Sequence, residues 1–254
     1  MNNFRIIPRL EVKSTKLIKG IRMEGLRIVG NPIDRAIKYY EDGADEIIYS
    51  DIVASLYSRS FDLKTISEIS RNIHIPFIVG GGIKSMDDVH MILDAGADRV
   101  CINTGAITDP DILYDTTREF GSQCITLEVQ VRSVSDSFWE PFVESGRNRT
   151  HIDLFDWIKI TQDLGVGELF FVSVDSDGMK SGLDCNLIKD IRSRISTPFI
   201  AGGGIGTTEH IVDLLELGCN GVVLSNILHF DTMSINEIKS NLIKLNLSDN
   251  IRTL

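Results

Sequence analysis

One phrase occurs twice in this chain, and it restricts the fold more than any other feature. Val79-Gly80-Gly81-Gly82-Ile83 returns as Ala201-Gly202-Gly203-Gly204-Ile205, 122 positions later. At the same offset Gly43-Ala44-Asp45-Glu46 meets Gly165-Val166-Gly167-Glu168. Gly96-Ala97-Asp98-Arg99-Val100 likewise meets Gly218-Cys219-Asn220-Gly221-Val222. Three matches at one spacing imply a structural unit written twice, each about half of the 254 residues.

Strand-like runs alternate with helical patterns. The strands are expected over residues 4–12, 46–52, 76–79, 99–103, 124–131, 168–174, 198–201 and 221–225. Several helix starts are readable. Asn31-Pro32 and Asp109-Pro110 each set a cap before a proline; Ser85-x-x-Asp88 resembles a capping box and Ser234-x-x-Glu237 matches one. Gly43, Gly96, Gly165 and Gly218 stand where left-handed helix ends are expected. Eight strand–helix units with an internal duplication predict one α/β domain over residues 1–254, a (β/α)8 TIM barrel of two half-barrel repeats. An open doubly wound sheet is the alternative. The longest irregular segments, 13–29 and 133–148, then fall at the C-terminal face, where active-site loops sit.

Composition excludes some classes of function. The net charge of −10 argues against a nucleic-acid binder. No apolar run approaches membrane length and no signal segment leads the chain, so a cytoplasmic protein is expected. Cys101, Cys124, Cys185 and Cys219 form no CxxC pair and lie near no histidine at ligand spacing. They read as buried free thiols, and no metal site or cofactor is expected.

The glycine triplets end the third and seventh strands, where backbone N–H groups can approach an anion. The following strands end in Asn103-Thr104 and Ser225-Asn226. Gly81, Gly82, Asn103 and Thr104 make one candidate phosphate cradle, and Gly203, Gly204, Ser225 and Asn226 a second. One triplet could simply relieve crowding at a tight strand end. Two in equivalent places favour a ligand with a phosphate at each end, lying across the barrel mouth.

The chain resembles the cyclase subunit of imidazole glycerol phosphate synthase along essentially its whole length. The marks are Arg5-Ile6-Ile7-Pro8, Lys19-Gly20, Asp51-Ile52, the first glycine triplet, Ile102-Asn103-Thr104, Phe120-Gly121-Ser122-Gln123, Asp175-Ser176-Asp177-Gly178-x-Lys180-Ser181-Gly182 and His229-Phe230. The resemblance implies an enzyme of histidine biosynthesis that takes ammonia from a glutaminase partner, as a heterodimer. It would cleave and cyclise PRFAR, a bisphosphorylated aminoimidazole ribonucleotide, to imidazole glycerol phosphate and aminoimidazole carboxamide ribotide. It also implies substrate contacts at Lys19, Asp51, Asp177 and Gly178.

The family's acid–base pair falls on Glu11 and Gln130, where two aspartates are usual. Glu11 keeps a carboxyl, one methylene further out. Gln130 cannot carry a proton. Strand alternation places Arg9 with Glu11 on one face and Glu128 with Gln130 on another. The family has small residues at the Arg9 and Glu128 positions, so the joint appearance of a cation and an anion predicts a buried Arg9–Glu128 ion pair. Pairing of Arg9 with Glu11 is the alternative. Lys13-Ser14-Thr15-Lys16, Met179 and Leu183 also depart from the family pattern at the mouth.

At the opposite end, Arg5, Glu46, Arg99 and Glu168 match the family's ammonia gate. From their charges alone they read first as an ion-pair ring closing the barrel floor, and it is the resemblance that favours an ammonia entrance. Asp98 and Gln123 match the family's glutaminase-docking surface, at the N-terminal face. Three other readings remain at this stage. One is a divergent relative that delivers ammonia for sugar amidation in surface-polysaccharide synthesis, with a sugar amidotransferase as further partner. Another is a non-catalytic activator of the glutaminase. The last is the sister isomerase, which needs no ammonia gate.

Overall fold

The repeat spacing reappears in the strands. The computed structural model describes residues 4–54, 61–135 and 138–252. Its strands are β1 (Arg5–Lys13), β2 (Lys16–Ile21), β3 (Glu24–Gly30), β4 (Ile47–Asp51), β5 (Phe77–Gly80), β6 (Arg99–Ile102), β7 (Ile125–Ser135), β8 (Phe138–Val143), β9 (Asn148–Arg149), β10 (Glu168–Ser173), β11 (Phe199–Gly202) and β12 (Gly221–Leu224). Eight are parallel and run in the order β10-β11-β12-β1-β4-β5-β6-β7. The β7–β10 pairing, from Thr126↔Glu168 to Val131↔Ser173, closes the ring. Helices lie between these strands, so the fold is a (β/α)8 barrel rather than an open sheet. β5 and β11, and likewise β6 and β12, are displaced by the sequence offset of 122 residues.

The eight parallel strands of the ring are buried on both faces over most of their length, as covered parallel sheets require. β1 is buried from Ile6 to Val12 without interruption. Outward residues such as Ile6, Ile47 and Val79 meet the helices, where Ile66, Ile69, Ile188 and Ile191 are buried. Inward residues Ile7, Ile48, Ile78, Cys101, Phe170, Ile200 and Val223 fill the lumen as a separate apolar layer. Each fully buried aliphatic side chain contributes about 1.5–3 kcal/mol, less the entropy lost on ordering it.

The caps explain the helix starts. Asn31 Oδ1 accepts from Ile33 N and Asp34 N, with Pro32 in the first helical turn. Ser234 and Glu237 form a reciprocal capping box. Ser85 caps Asp88 N, but Asp88 answers to Lys84 N, one residue outside the box pattern. The helix expected after Asp109 begins at Asp111, so Pro110 is its cap position. Gly43, Gly96, Gly165 and Gly218 all take positive φ, between 80° and 106°.

Two expectations need correction. Segments 13–29 and 133–148 are largely strand, not irregular chain: β2–β3 and β8–β9 are antiparallel hairpins stacked on the barrel rim. Residues 136–137 of the second segment lie outside the described residues. Register shifts in β2–β3, between Leu17 and Ile18 and between Lys19 and Ile21, break the period-2 alternation that reveals a strand. The other correction concerns Cys185, which is only half-buried while the other three thiols are buried.

At the floor, Asp45 ties three elements together. Its carboxylate accepts from Ile6 N at 2.7 Å and from Lys239 Nζ at 2.8 Å, and Lys239 also donates to Arg252 O.

Candidate active site

The glycine triplets turn the chain where no side chain fits. A Cβ added at Gly81 would lie 2.2 Å from Asp51 O, and one at Gly203 would lie 2.5 Å from Ser173 O. The two glycines have φ of +98° and +89°. The blocking carbonyls are themselves 122 positions apart, so the two rims share backbone geometry as well as sequence.

Each triplet borders a small cavity under the rim. The first, about 40 Å³, is lined by Asp51, Gly81, Gly82, Asn103, Thr104 and Ser145, with Arg9, Glu128 and Gln130 below. The second, about 20 Å³, is lined by Gly178, Gly203, Gly204, Ser225 and Asn226, with Arg9, Glu11 and Asp177 below. These are spaces for about one to three waters each. Thr104 Oγ1 accepts from Glu144 N at 3.2 Å, and Asn103 Nδ2 reaches Phe142 O at 3.5 Å. Ser225 Oγ donates to Arg9 O at 3.3 Å, and Asn226 Oδ1 is buried without a hydrogen-bond partner among the described residues. Asp51 Oδ1 accepts from Val53 N.

A chain of buried charges crosses the lumen between the cavities. Lys19 Nζ donates to Glu11 Oε2 at 2.6 Å and to Asp177 Oδ1 and Oδ2 at 2.9 and 3.0 Å. Arg9 Nη2 donates to Glu128 Oε1 and Oε2 at 2.9 and 3.0 Å, whereas Arg9 Nη1 stands 4.0 Å from Glu11 Oε1. Gln130 is occupied at both ends: Nε2 donates to Glu128 Oε1 at 2.8 Å, and Oε1 accepts from Gly146 N at 2.7 Å. Its amide orientation follows from those two partners.

Burial opposes the charge on Lys19, but Glu11 and Asp177 outweigh it and raise the ammonium's pKa. Burial raises the Asp177 pKa, and Glu11 adds to the effect, because two carboxylates share one ammonium there. For Arg9 too, burial is opposed and overcome, by Glu128 first and then Glu11.

Sequence reasoning placed Lys19 in a loop above the ligand. The structure puts it on β2, buried, with its ammonium held inside the barrel by Glu11 and Asp177. It also brings in residues that the sequence did not single out. Gly146 and Ser145 fold over the mouth from the β8–β9 turn, Ser145 Oγ donating to Ile52 O. Met23 N donates to Asp177 Oδ2 from the β2–β3 turn. Asp175 holds the β7 extension through Arg132 Nε and Ser133 N, and lies on the outside of the network.

His229 sits beside the network. Its Nδ1 shares a 2.7 Å hydrogen bond with the Tyr39 hydroxyl, and its Nε2 has no partner among the described residues. Burial first, then Lys19 and Arg35, push its pKa down to about 3, against smaller offsetting pulls from the Arg9 backbone and from Asp231. The fold therefore holds the neutral ring, while the unfolded chain takes up a proton near 6.5. Stability is complete above about 6.5 and is lost as pH falls from there toward about 3. Between pH 7 and pH 5 this one group is expected to remove about 2 kcal/mol. Urea unfolding at several pH values checks this, and the difference should vanish in His229→Gln.

At the floor, Arg5 Nη1 donates to Glu46 Oε1 at 2.8 Å and Arg5 Nη2 to Glu168 Oε1. Arg99 Nη2 donates to Glu168 Oε2 at 2.9 Å, and Arg99 Nη1 lies 3.8 Å from Glu46 Oε2. The four charges make a closed ring. It opens below onto a basin of about 1000 Å³, bordered by Asp98 and Gln123 among others. Asp98 Oδ2 accepts from Phe77 N, which anchors it to β5, and Gln123 remains exposed. Among the described residues no group of three or more histidine, cysteine or carboxylate side chains could hold a metal. No helix among them is long and apolar enough to cross a membrane.

Fold and site together define a (β/α)8 barrel of two equivalent halves, with paired glycine cradles above a charged lumen. The model of the family described as histidine biosynthesis protein matches residues 5–234, and the chain belongs to that family. Its relatives include three proteins named imidazole glycerol phosphate synthase subunit HisF. The one from Legionella pneumophila is 44% identical over 209 residues, 82% of this chain and 99% of the relative. A Hydrogenobaculum protein is 38% identical over 93% of this chain and 94% of its own length. The Streptococcus mutans protein is 39% identical over 92% and 94% respectively.

Proposed function

We propose that this chain is an ammonia-using cyclase subunit that converts PRFAR to imidazole glycerol phosphate and aminoimidazole carboxamide ribotide. The observation that carries the reading is the pair of equivalent glycine cradles with an ionisable carboxyl, Glu11, between them and the lumen. Two cradles suit a ligand phosphorylated at both ends. Cleavage and ring closure both need protons moved at the centre of that ligand, the work of a positioned acid–base group. Glu11 fills that role, and Lys19 holds its carboxylate in place.

The relatives' name marks each of them as a subunit. We assign the floor basin to a glutaminase partner and the Arg5–Glu46–Arg99–Glu168 ring to the ammonia entrance. Passage there requires one ion pair to shift. A second reading, delivery of ammonia to a sugar-amidating enzyme, draws on one observation: Gln130 is held at both ends and has no titratable group for acid–base exchange. The relatives' shared name favours the first reading.

The deciding experiment is turnover of PRFAR by the purified chain with saturating ammonium at alkaline pH, where no partner is needed. Formation of imidazole glycerol phosphate is expected. Tight PRFAR binding with no product would move the assignment to the second reading, or to a ligand-sensing activator of the glutaminase.

A further inference from the structure

Arg9 is fully buried, yet only one arm of its guanidinium is spent. Nη2 holds Glu128 and lies 3.5 Å from Ser50 Oγ. Nε is buried with no hydrogen-bond partner among the described residues, and Nη1 stands 4.0 Å from Glu11 Oε1, beyond hydrogen-bond reach. Buried donors, above all those on an ion, are nearly always paired, so unspent ones call for a physical explanation. The guanidinium is also held still. It lies over the Phe170 ring, 5.3 Å from the centroid, while Glu128 is fixed by Gln130 and by the Cys101 thiol at 3.8 Å. Finally, Arg9 lines both mouth cavities, so it sits beneath the middle of anything that spans the two cradles.

The neighbouring charges limit what such a group can take. Arg9 and Lys19 face three carboxyl groups, Glu11, Glu128 and Asp177, so the layer lacks one positive charge. A further anion would be repelled there. A neutral oxygen with lone pairs would not.

We propose that Arg9 is a specificity-determining residue whose free N–H groups take a neutral carbonyl oxygen carried between the two phosphorylated ends of the ligand. Glu128 is then a positioning residue, holding the other arm of the guanidinium. The inference rests on the two-phosphate reading of the mouth and adds the class of group at the ligand's centre.

Calorimetric titration of the intact chain with two probes tests it. Ribulose 1,5-bisphosphate has a carbonyl in its backbone, and pentane-1,5-diol bisphosphate has only the two phosphates. The comparison variant is Arg9→Met/Glu128→Met, which removes both charges together and so leaves no unpaired ion in the core. The native chain is expected to prefer the ketone-bearing probe by about tenfold or more, the effect of a hydrogen bond from a charged donor. In the double variant the preference should shrink to within about threefold. An equal preference in both chains would overturn the proposal and leave Arg9 as a strut across the lumen. Failure of the native chain to bind even the diol bisphosphate would instead overturn the two-cradle reading on which the proposal stands.

Discussion

Arg9→Met alone is expected to destabilise the protein by about 3–5 kcal/mol, the effect of leaving a buried ion without its partner. Glu128 is 5% exposed and holds Arg9 through both oxygens. Without the guanidinium it keeps only an amide from Gln130 and a thiol contact from Cys101. The double variant Arg9→Met/Glu128→Met should lie within about 1–2 kcal/mol of the native protein, or above it, because apolar replacement of a whole buried pair is often neutral or stabilising. Urea unfolding of both single variants and the double completes the cycle. Single-variant losses below about 1 kcal/mol would mean that the pair is solvated and the lumen open to water.

Glu11→Gln is expected to lower ammonium-driven PRFAR turnover by roughly 10²–10⁴-fold, the range for loss of a positioned acid–base group. The amide keeps the size of the side chain and can still accept from Lys19, so the fold and the cradles should persist. The loss should therefore fall on kcat, with PRFAR affinity nearly unchanged. Glu11→Asp is instructive beside it. Shortening the side chain moves the carboxylate away from Lys19, now 2.6 Å distant, and a displacement of about 1 Å can cost about a hundredfold. A Glu11→Gln enzyme that kept more than about a tenth of the native rate would remove Glu11 from the chemistry.

The barrel was legible because its evidence is periodic. Gly81 and Gly203 announce the same strand end twice, and the carbonyls that exclude a side chain there recur at the same spacing. The lumen was legible wherever strands alternate regularly. Counting residues put Arg9 on one face with Glu11, and Glu128 with Gln130, and the family resemblance of Glu11 and Gln130 turned those faces inward. Lys19 could not, because β2 carries register shifts and buries four residues in succession, Leu17 to Gly20. Nor could Gly146, whose N–H meets Gln130 from a turn sixteen residues further on. A turn's direction depends on what it packs against, and nothing in Ser145-Gly146 read by itself specifies the mouth. His229 stood out only as part of a longer match. Its burial against Tyr39 and its depressed pKa are properties of the folded neighbourhood.

The charged layer inside the barrel also shapes how stability responds to warming. Apolar surface exposed on unfolding raises the heat capacity, and polar surface lowers it. Arg9, Glu11, Lys19, Glu128 and Asp177 occupy space that aliphatic side chains would otherwise fill. The heat-capacity increment of this protein is therefore smaller than that of the same barrel with a wholly apolar interior, and its stability curve is flatter. Hydration of free ions becomes less favourable as temperature rises, so keeping these five groups out of water costs less in the heat than in the cold. The interior that interrupts the axis of the barrel is thus also a source of heat tolerance.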